Sequence, residues 1–215
     1  LLGKRRVKLW AMIVSDRRFF MSVRYAYPTR QLPEVKMRLY PTKVINIIGG
    51  PASDKSLFSA AIILHLYLHG KTVEQIPDYS RSLVWRKDYE ALKNQYNIAE
   101  QQFRMLELLD GQVQYLVTDC SLPQLLYYNA HYPENICDVA KTRAQILQWY
   151  GQHDNINVLV DRGERAYVHA GRFQDEEGAR AVDRELRVTL DKEHLPHTIV
   201  RADIDAIRAF AESLL

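Results

Sequence analysis

The chain has 215 residues, 47% of them hydrophobic and 26% charged, with a formal net charge of +3. That length suits one α/β domain with an appendage and can bury a sizeable core, and the composition excludes a disordered chain. The longest apolar stretch, around Ala60–Leu68, is interrupted by His65 and falls far short of the roughly 18 residues that a membrane span requires. Two cysteines, Cys120 and Cys137, are too few for a disulfide framework, so a cytoplasmic protein is expected.

The net charge hides an asymmetry. Residues 1–43 hold eleven Lys or Arg against Asp16 and Glu34, a charge of +9, whereas 44–215 carries −6. Trp10, Phe19, Phe20, Tyr25 and Tyr27 interleave with the basic residues, a composition suited to binding nucleic acid through phosphates and stacking. Folding of this arm back onto the acidic body is the competing expectation. Pro28, Pro33 and Pro41 make 28–43 an extended connector. Lys4-Arg5-Arg6 before Leu9–Val14 lacks the apolar length and cleavage site of a signal peptide.

An apolar strand, Val44-Ile-Asn-Ile-Ile48, then runs into Gly49-Gly-Pro-Ala-Ser-Asp-Lys-Ser56 and a helix. The pattern Gly-x-x-x-x-Gly-Lys-Ser/Thr is a phosphate-binding loop: turn amides point at a phosphate, the Lys bridges β and γ, the hydroxyl holds Mg²⁺, and the helix N-terminus adds its positive end. Gly49, Lys55 and Ser56 fit, with Gly50, Pro51, Ala52 and Ser53 between them, but Asp54 stands where the second Gly belongs. A carboxylate about 4 Å from a phosphate oxygen costs roughly 4 kcal/mol at an effective dielectric near 20. Nucleotide affinity is expected to fall unless Asp54 turns away, is neutralised by Lys55 or is bridged to a cation.

Helix Ser56–His69 follows, stopped by Gly70. Lys71–Ile76 is a short strand ending at Pro77-Asp78-Tyr79, and Asp88–Leu109 has apolar residues at helical spacing, ended by Asp110-Gly111. Val113–Val117 reads as a buried strand closing on Thr118-Asp119, Asp138–Tyr150 as a helix, and Ile156–Val160 as a strand. A polar segment, 161–175, carries Arg162, Arg165 and Arg172 and leads into helix Glu176–Leu190, strand His197–Val200 and a last helix from Asp203 to Leu214. Strands alternate with helices from residue 44 onward, which predicts a parallel sheet flanked by helices, with ligands beyond the carboxyl ends of the strands.

Those ends carry charge. The loop follows the first strand, Asp78 the second, Asp119 the third and Arg162 the fourth, so the four are expected to converge on one rim. Asp119 is placed to hold Mg²⁺ with Ser56; the same spacing suits a helix cap. Asp78 is placed to take a proton from, or orient, an acceptor hydroxyl, or to make an ordinary Pro-Asp turn. Arg162 and Arg172, in a segment with Gly163 and Gly171, have the composition of a lid that lays guanidinium groups on a transferring phosphoryl, or of a solvated loop. The seven His form no metal spacing.

Read together, residues 47–56, Asp-Tyr-Ser-Arg-Ser-Leu-Val-Trp (78–85), Val-Thr-Asp-Cys-Ser-Leu (117–122), residues 154–162 and Ala-Gly-Arg-Phe-Gln-Asp-Glu-Glu (170–177) resemble the AAA-type ATPase/kinase-like P-loop family of phage and bacterial genomes. That family is similar to the nicotinamide riboside kinase domain and to small nucleotide kinases. The resemblance covers about 44–200 and implies an ATP-dependent phosphotransferase with a nucleotide and a small-molecule acceptor as partners. Lys55 and Ser56 would engage phosphates and Mg²⁺, Asp119 the metal, Asp78 the acceptor, and Arg162 and Arg172 the lid side. Family members usually read Gly-Pro-Gly-Ser-Gly-Lys-Ser-Thr, whereas Ala52, Asp54 and Leu57 stand here. They commonly have Glu where this chain has Asp78. The expected architecture is a basic N-terminal extension, 1–43, and a P-loop kinase-like domain, 44–215, with a catalytically impaired nucleotide-binding regulator, or a nucleic-acid-binding protein using the basic arm, as the alternatives to a kinase.

Overall fold

The computed structural model describes residues 37–162 and 175–215. Its centre is strand β1, Lys43–Ile48, whose side chains alternate between two cores: Val44 and Ile48 face one, Ile45 and Ile47 the other. Burial on both faces explains why the strand reads as a nearly unbroken apolar run. Around it lie β2 (Val73–Ile76), β3 (Tyr115–Thr118), β4 (Asp154–Asp161) and β5 (Thr198–Arg201) in the order β2-β3-β1-β4-β5. Every pairing is parallel. The expected α/β parallel sheet flanked by helices is therefore what the chain forms.

Helices α1 (Lys55–Leu68) and α8 (Ile204–Glu212) cover one face through Phe58, Ile62, Leu66, Ile207 and Ala211. The other face is covered by α2 (Tyr79–Arg86), α3 (Tyr89–Leu92), α4 (Gln95–Leu109), α5 (Leu122–His131), α6 (Val139–Tyr150) and α7 (Glu176–Lys192). One polar set in this second core is internally hydrogen-bonded. Asn46 donates to Asn155 and Asn157, each at 2.9 Å, and Asn157 donates to Tyr150 and the Pro196 carbonyl.

The structure departs from the sequence reading at four places. The helix expected over Asp88–Leu109 is two helices, because Asn94 caps α4 through the Asn97 amide and the Lys93 carbonyl accepts from Ile136 instead of continuing the first turn. Asp78-Tyr79 opens the helix α2 rather than only a turn, and α5 is a further helix between β3 and α6. Residues 37–42, assigned to the extension, are tied to the body: Leu39 and Tyr40 donate to the Gly111 carbonyl, and Arg38 pairs with Asp110 at 2.8 Å. Gly111 is required there, since its φ is +80° and a Cβ would lie 2.8 Å from Arg38 Cγ.

Helix entry shows a division of labour. Asp78, Asp88, Asn94, Ser121, Asp138, Asp175 and Asp203 each accept a hydrogen bond from the amide three residues on. Helix α1 is the exception among the described residues, because its N-cap, Asp54, makes no side-chain capping bond. Its first-turn amides and the positive end of its dipole lie at the carboxyl ends of the strands, where parallel sheets bind ligands.

Candidate functional site

The loop between β1 and α1 is built by close approaches. A Cβ on Gly49 would come 2.5 Å from Ser53 Oγ, and one on Gly50 would come 2.6 Å from Asp183 Oδ1 and 2.8 Å from the Ala179 carbonyl. Ser53 Oγ donates to the Gly50 carbonyl at 2.9 Å and closes the turn. Ala52 and Asp54 have φ of 58° and 62°. The pattern Gly-Pro-Gly-Ser-Gly-Lys-Ser-Thr has at both positions a glycine that this chain lacks, and both keep the left-handed backbone that glycine would adopt freely. An L-residue there costs roughly 1–2 kcal/mol, and Asp tolerates it better than most because its short polar side chain bonds locally. The lost glycine at 54 has thus been replaced without losing the loop's conformation.

Side chains from four elements meet this loop. Lys55 Nζ donates to the Gly49 and Gly50 carbonyls at 2.7 and 2.8 Å. Ser56 Oγ donates to Asp119 Oδ2 at 2.8 Å, so the hydroxyl at the start of α1 and the carboxylate after β3 stand together as expected. Asp119 is only 8% exposed. Arg162, after β4, reaches the loop backbone by donating to the Pro51 carbonyl at 2.7 Å, and its Nε pairs with Asp183 at 2.9 Å. That pair is partly buried, and the hydrogen bonds each partner makes to the loop offset the desolvation cost.

Asp78 is one step removed. Its Oδ1 accepts from the Arg81 amide at 2.9 Å and from Ser80 Oγ at 2.6 Å, and the Arg81 guanidinium lies 3.5 Å from Ser56 Oγ. Gln102, buried in α4, donates to Thr118 Oγ1 and the Pro77 carbonyl, which sets the Asp78 turn against the end of β3. Cys120 sits beneath, and burial first, then the Asp78 and Asp119 charges, push its thiol well above the usual range. It is a neutral packing group rather than a nucleophile. Burial also raises the Tyr128 phenol, with Cys120, Tyr127, Asp78 and Asp183 adding to the effect. Arg172 lies outside the described residues.

Three residues at the site had no role in the sequence reading. Arg81 falls within the quoted 78–85 block, and recognising Asp78 as a helix cap would have put it one turn in, on the loop side. Gln124, whose Oε1 accepts from the Gly49 amide at 3.1 Å, belongs to α5, which Ser121 and Pro123 mark as a helix start. Asp183, whose Oδ1 accepts from the Gly50 amide at 2.7 Å, carries no local signal at all. Among the described residues there is no group of three or more His, Cys, Asp or Glu arranged to hold a metal, and no helix long and apolar enough to cross a membrane.

No protein-family model and no curated protein sequence matches this chain. Among solved structures it is similar to the NadR protein in complex with NR, with a TM-score of 0.58 and 9% identity over 81% of this chain and 51% of that one. It is similar to NadR in complex with NAD and AMP-PNP at a TM-score of 0.55 and 11% identity, over 81% and 49%. Thymidylate kinase from Candida albicans aligns at 0.47 and 14% identity, over 81% and 89%. The chain spans about half the length of the NadR chains it matches. Its fold is P-loop NTPase-like, a five-stranded parallel sheet flanked by helices.

Proposed function

We propose that the chain is an ATP-dependent small-molecule kinase that moves the γ-phosphoryl group of ATP to a nucleoside, nucleotide or ribosyl metabolite. The observation that carries this reading is the Ser56–Asp119 contact of 2.8 Å at the mouth of a loop that keeps its left-handed turns. A hydroxyl and a buried carboxylate on either side of a loop whose helix is left uncapped are donors suited to a hard cation beside a phosphate. Ser56 and Asp119 would hold Mg²⁺, which when bound neutralises phosphate charge.

The remaining roles follow from position. Residues Gly49 to Ser56 cradle the phosphates, and Lys55 exchanges its loop carbonyls for phosphate oxygens. Asp78 receives the proton of the acceptor hydroxyl, while Arg81 offers a cation between acceptor and phosphate. Arg162 holds the far side of the loop, and Arg172 belongs to the lid. NR, the ligand in the NadR structure, heads the acceptors worth testing. A nucleotide-binding regulator that does not turn over is the second reading, favoured by Lys55 spending its ammonium on the Gly49 and Gly50 carbonyls and by Asp183 occupying the Gly50 amide.

The test is transfer of labelled γ-phosphate from ATP with Mg²⁺ to NR and a nucleoside panel, alongside calorimetric ATP binding. The kinase reading expects transfer that falls at least about a hundredfold in Lys55→Ala and in Asp119→Asn, as the loss of a charged transition-state contact does. Transfer undiminished in Lys55→Ala, or no ATP binding by the unmodified chain, overturns it. Binding without transfer to any acceptor, in both the unmodified chain and Asp54→Gly, selects the regulator.

A further inference from the structure

The Arg162–Asp183 pair is also one wall of a groove of about 280 Å³ between α7 and the β4–β5 edge. Its apolar lining is Leu159, Val160 and Ile199, of which Leu159 and Ile199 are partners in the strand register. Arg180, Arg184 and Arg187 line it from α7, spaced four and three residues apart and so on one side of the helix. Arg162 is satisfied by Asp183 and the loop, and Arg180 by Glu176 at 2.8 Å. Arg184 and Arg187 make no ion pair or side-chain hydrogen bond among the described residues. Asp161, the other carboxylate in the lining, adds an acceptor.

We propose that this groove is a second anion site, separate from the phosphate loop, that takes a small phosphate monoester. Two uncommitted guanidiniums match the dianionic head of a monoester, whose oxygens accept their paired N–H groups. Leu159 and Ile199 receive the body of the ligand, and Asp161 accepts from a hydroxyl on it. The volume of about 280 Å³ lies just below the roughly 300 Å³ at which small-molecule pockets begin, which suits a sugar phosphate or nucleoside monophosphate and not a dinucleotide. Two free arginines in a concave groove are also too few for a nucleic-acid track, which draws its affinity from many phosphates at once. The inference stands whether or not the phosphate loop transfers phosphate.

Calorimetry on the full chain carrying Lys55→Ala, which removes the loop's own phosphate contact, tests it with ribose 5-phosphate, AMP and inorganic phosphate as probes. One saturable site for a monoester is expected, weakened by salt and lowered at least about tenfold by Arg184→Gln with Arg187→Gln, the scale of two charge-assisted hydrogen bonds. Both arginines are exposed, so the thermal melt should not move. Ile199→Asp, on the opposite wall, should produce the same loss. Preference for AMP assigns the apolar floor to a base, and equal binding of ribose 5-phosphate assigns it to the sugar. No saturable binding of either monoester, or binding unchanged in the double glutamine variant, overturns the proposal. Binding of a single-stranded oligonucleotide without either monoester overturns it as well.

Discussion

Asp54 separates two effects that glycine would combine, and three substitutions resolve them. Its φ of 62° carries a backbone cost of about 1 kcal/mol, reduced because Asp is tolerated in the left-handed region. Its carboxylate is a unit charge at the threshold of a phosphate site, worth roughly 4 kcal/mol against a phosphate oxygen at 4 Å and roughly 2 kcal/mol at 8 Å with an effective dielectric near 20. The charge therefore dominates affinity and the backbone only trims stability. Asp54→Asn keeps the tolerant side chain and removes the charge, so it should tighten ATP binding by at least about tenfold, or 1.4 kcal/mol, with little change in the melt. Asp54→Gly should bind as tightly as Asn. Its stability should stay within about 1 kcal/mol of the parent, because the relief of strain is offset by glycine's entropy. Asp54→Ala removes the charge but sharpens the strain, giving the affinity gain with a lower melting temperature. Calorimetry with Mg²⁺-ATP and thermal denaturation on the three variants supply both axes. An Asn variant that binds no better than the parent while Gly does would refute the electrostatic reasoning and leave the backbone as the determinant.

Two other expectations concern the frame of the site and its stability. Gly50→Ala would drive a Cβ to 2.6 Å from Asp183 Oδ1 and 2.8 Å from the Ala179 carbonyl, and because the second atom is backbone, α7 must move; a loss of about 1–3 kcal/mol in a urea titration is expected. His153 has both ring nitrogens buried without a hydrogen-bond partner, and burial, aided by Arg38 and opposed by Asp110 and Glu107, holds its imidazole below the ordinary value of 6.5. The unfolded chain then binds a proton that the folded chain refuses, so stability should fall as pH drops below 6.5 and level off beneath the folded pKa. His153→Phe should flatten that slope and raise the urea midpoint, and an unchanged slope in the variant would show that another group is responsible.

What the amino-acid order determined by itself is local. The unbroken apolar run of β1, the glycines and Lys-Ser of the loop, and the caps that open the helices are interactions between near neighbours, and they announced a parallel α/β sheet with charge at its strand ends. Ser56 and Asp119 were legible because each follows a strand whose direction the alternation of strands and helices already implied. The arrangement at the loop was decided only by tertiary structure. Asp183 meets Gly50 across 133 residues because the order β3-β1-β4 carries α7 beside the loop, and no spacing in the chain records that. Gln124 and Arg81 reach the site from helices whose boundaries depend on capping and on Gln102 packing against Thr118. Asp54 shows both levels at one residue. The sequence marks a missing glycine, whereas the fold, which imposes a positive φ wherever β1 turns into α1, shows that the loop's shape survives the exchange and that the carboxylate is what changed.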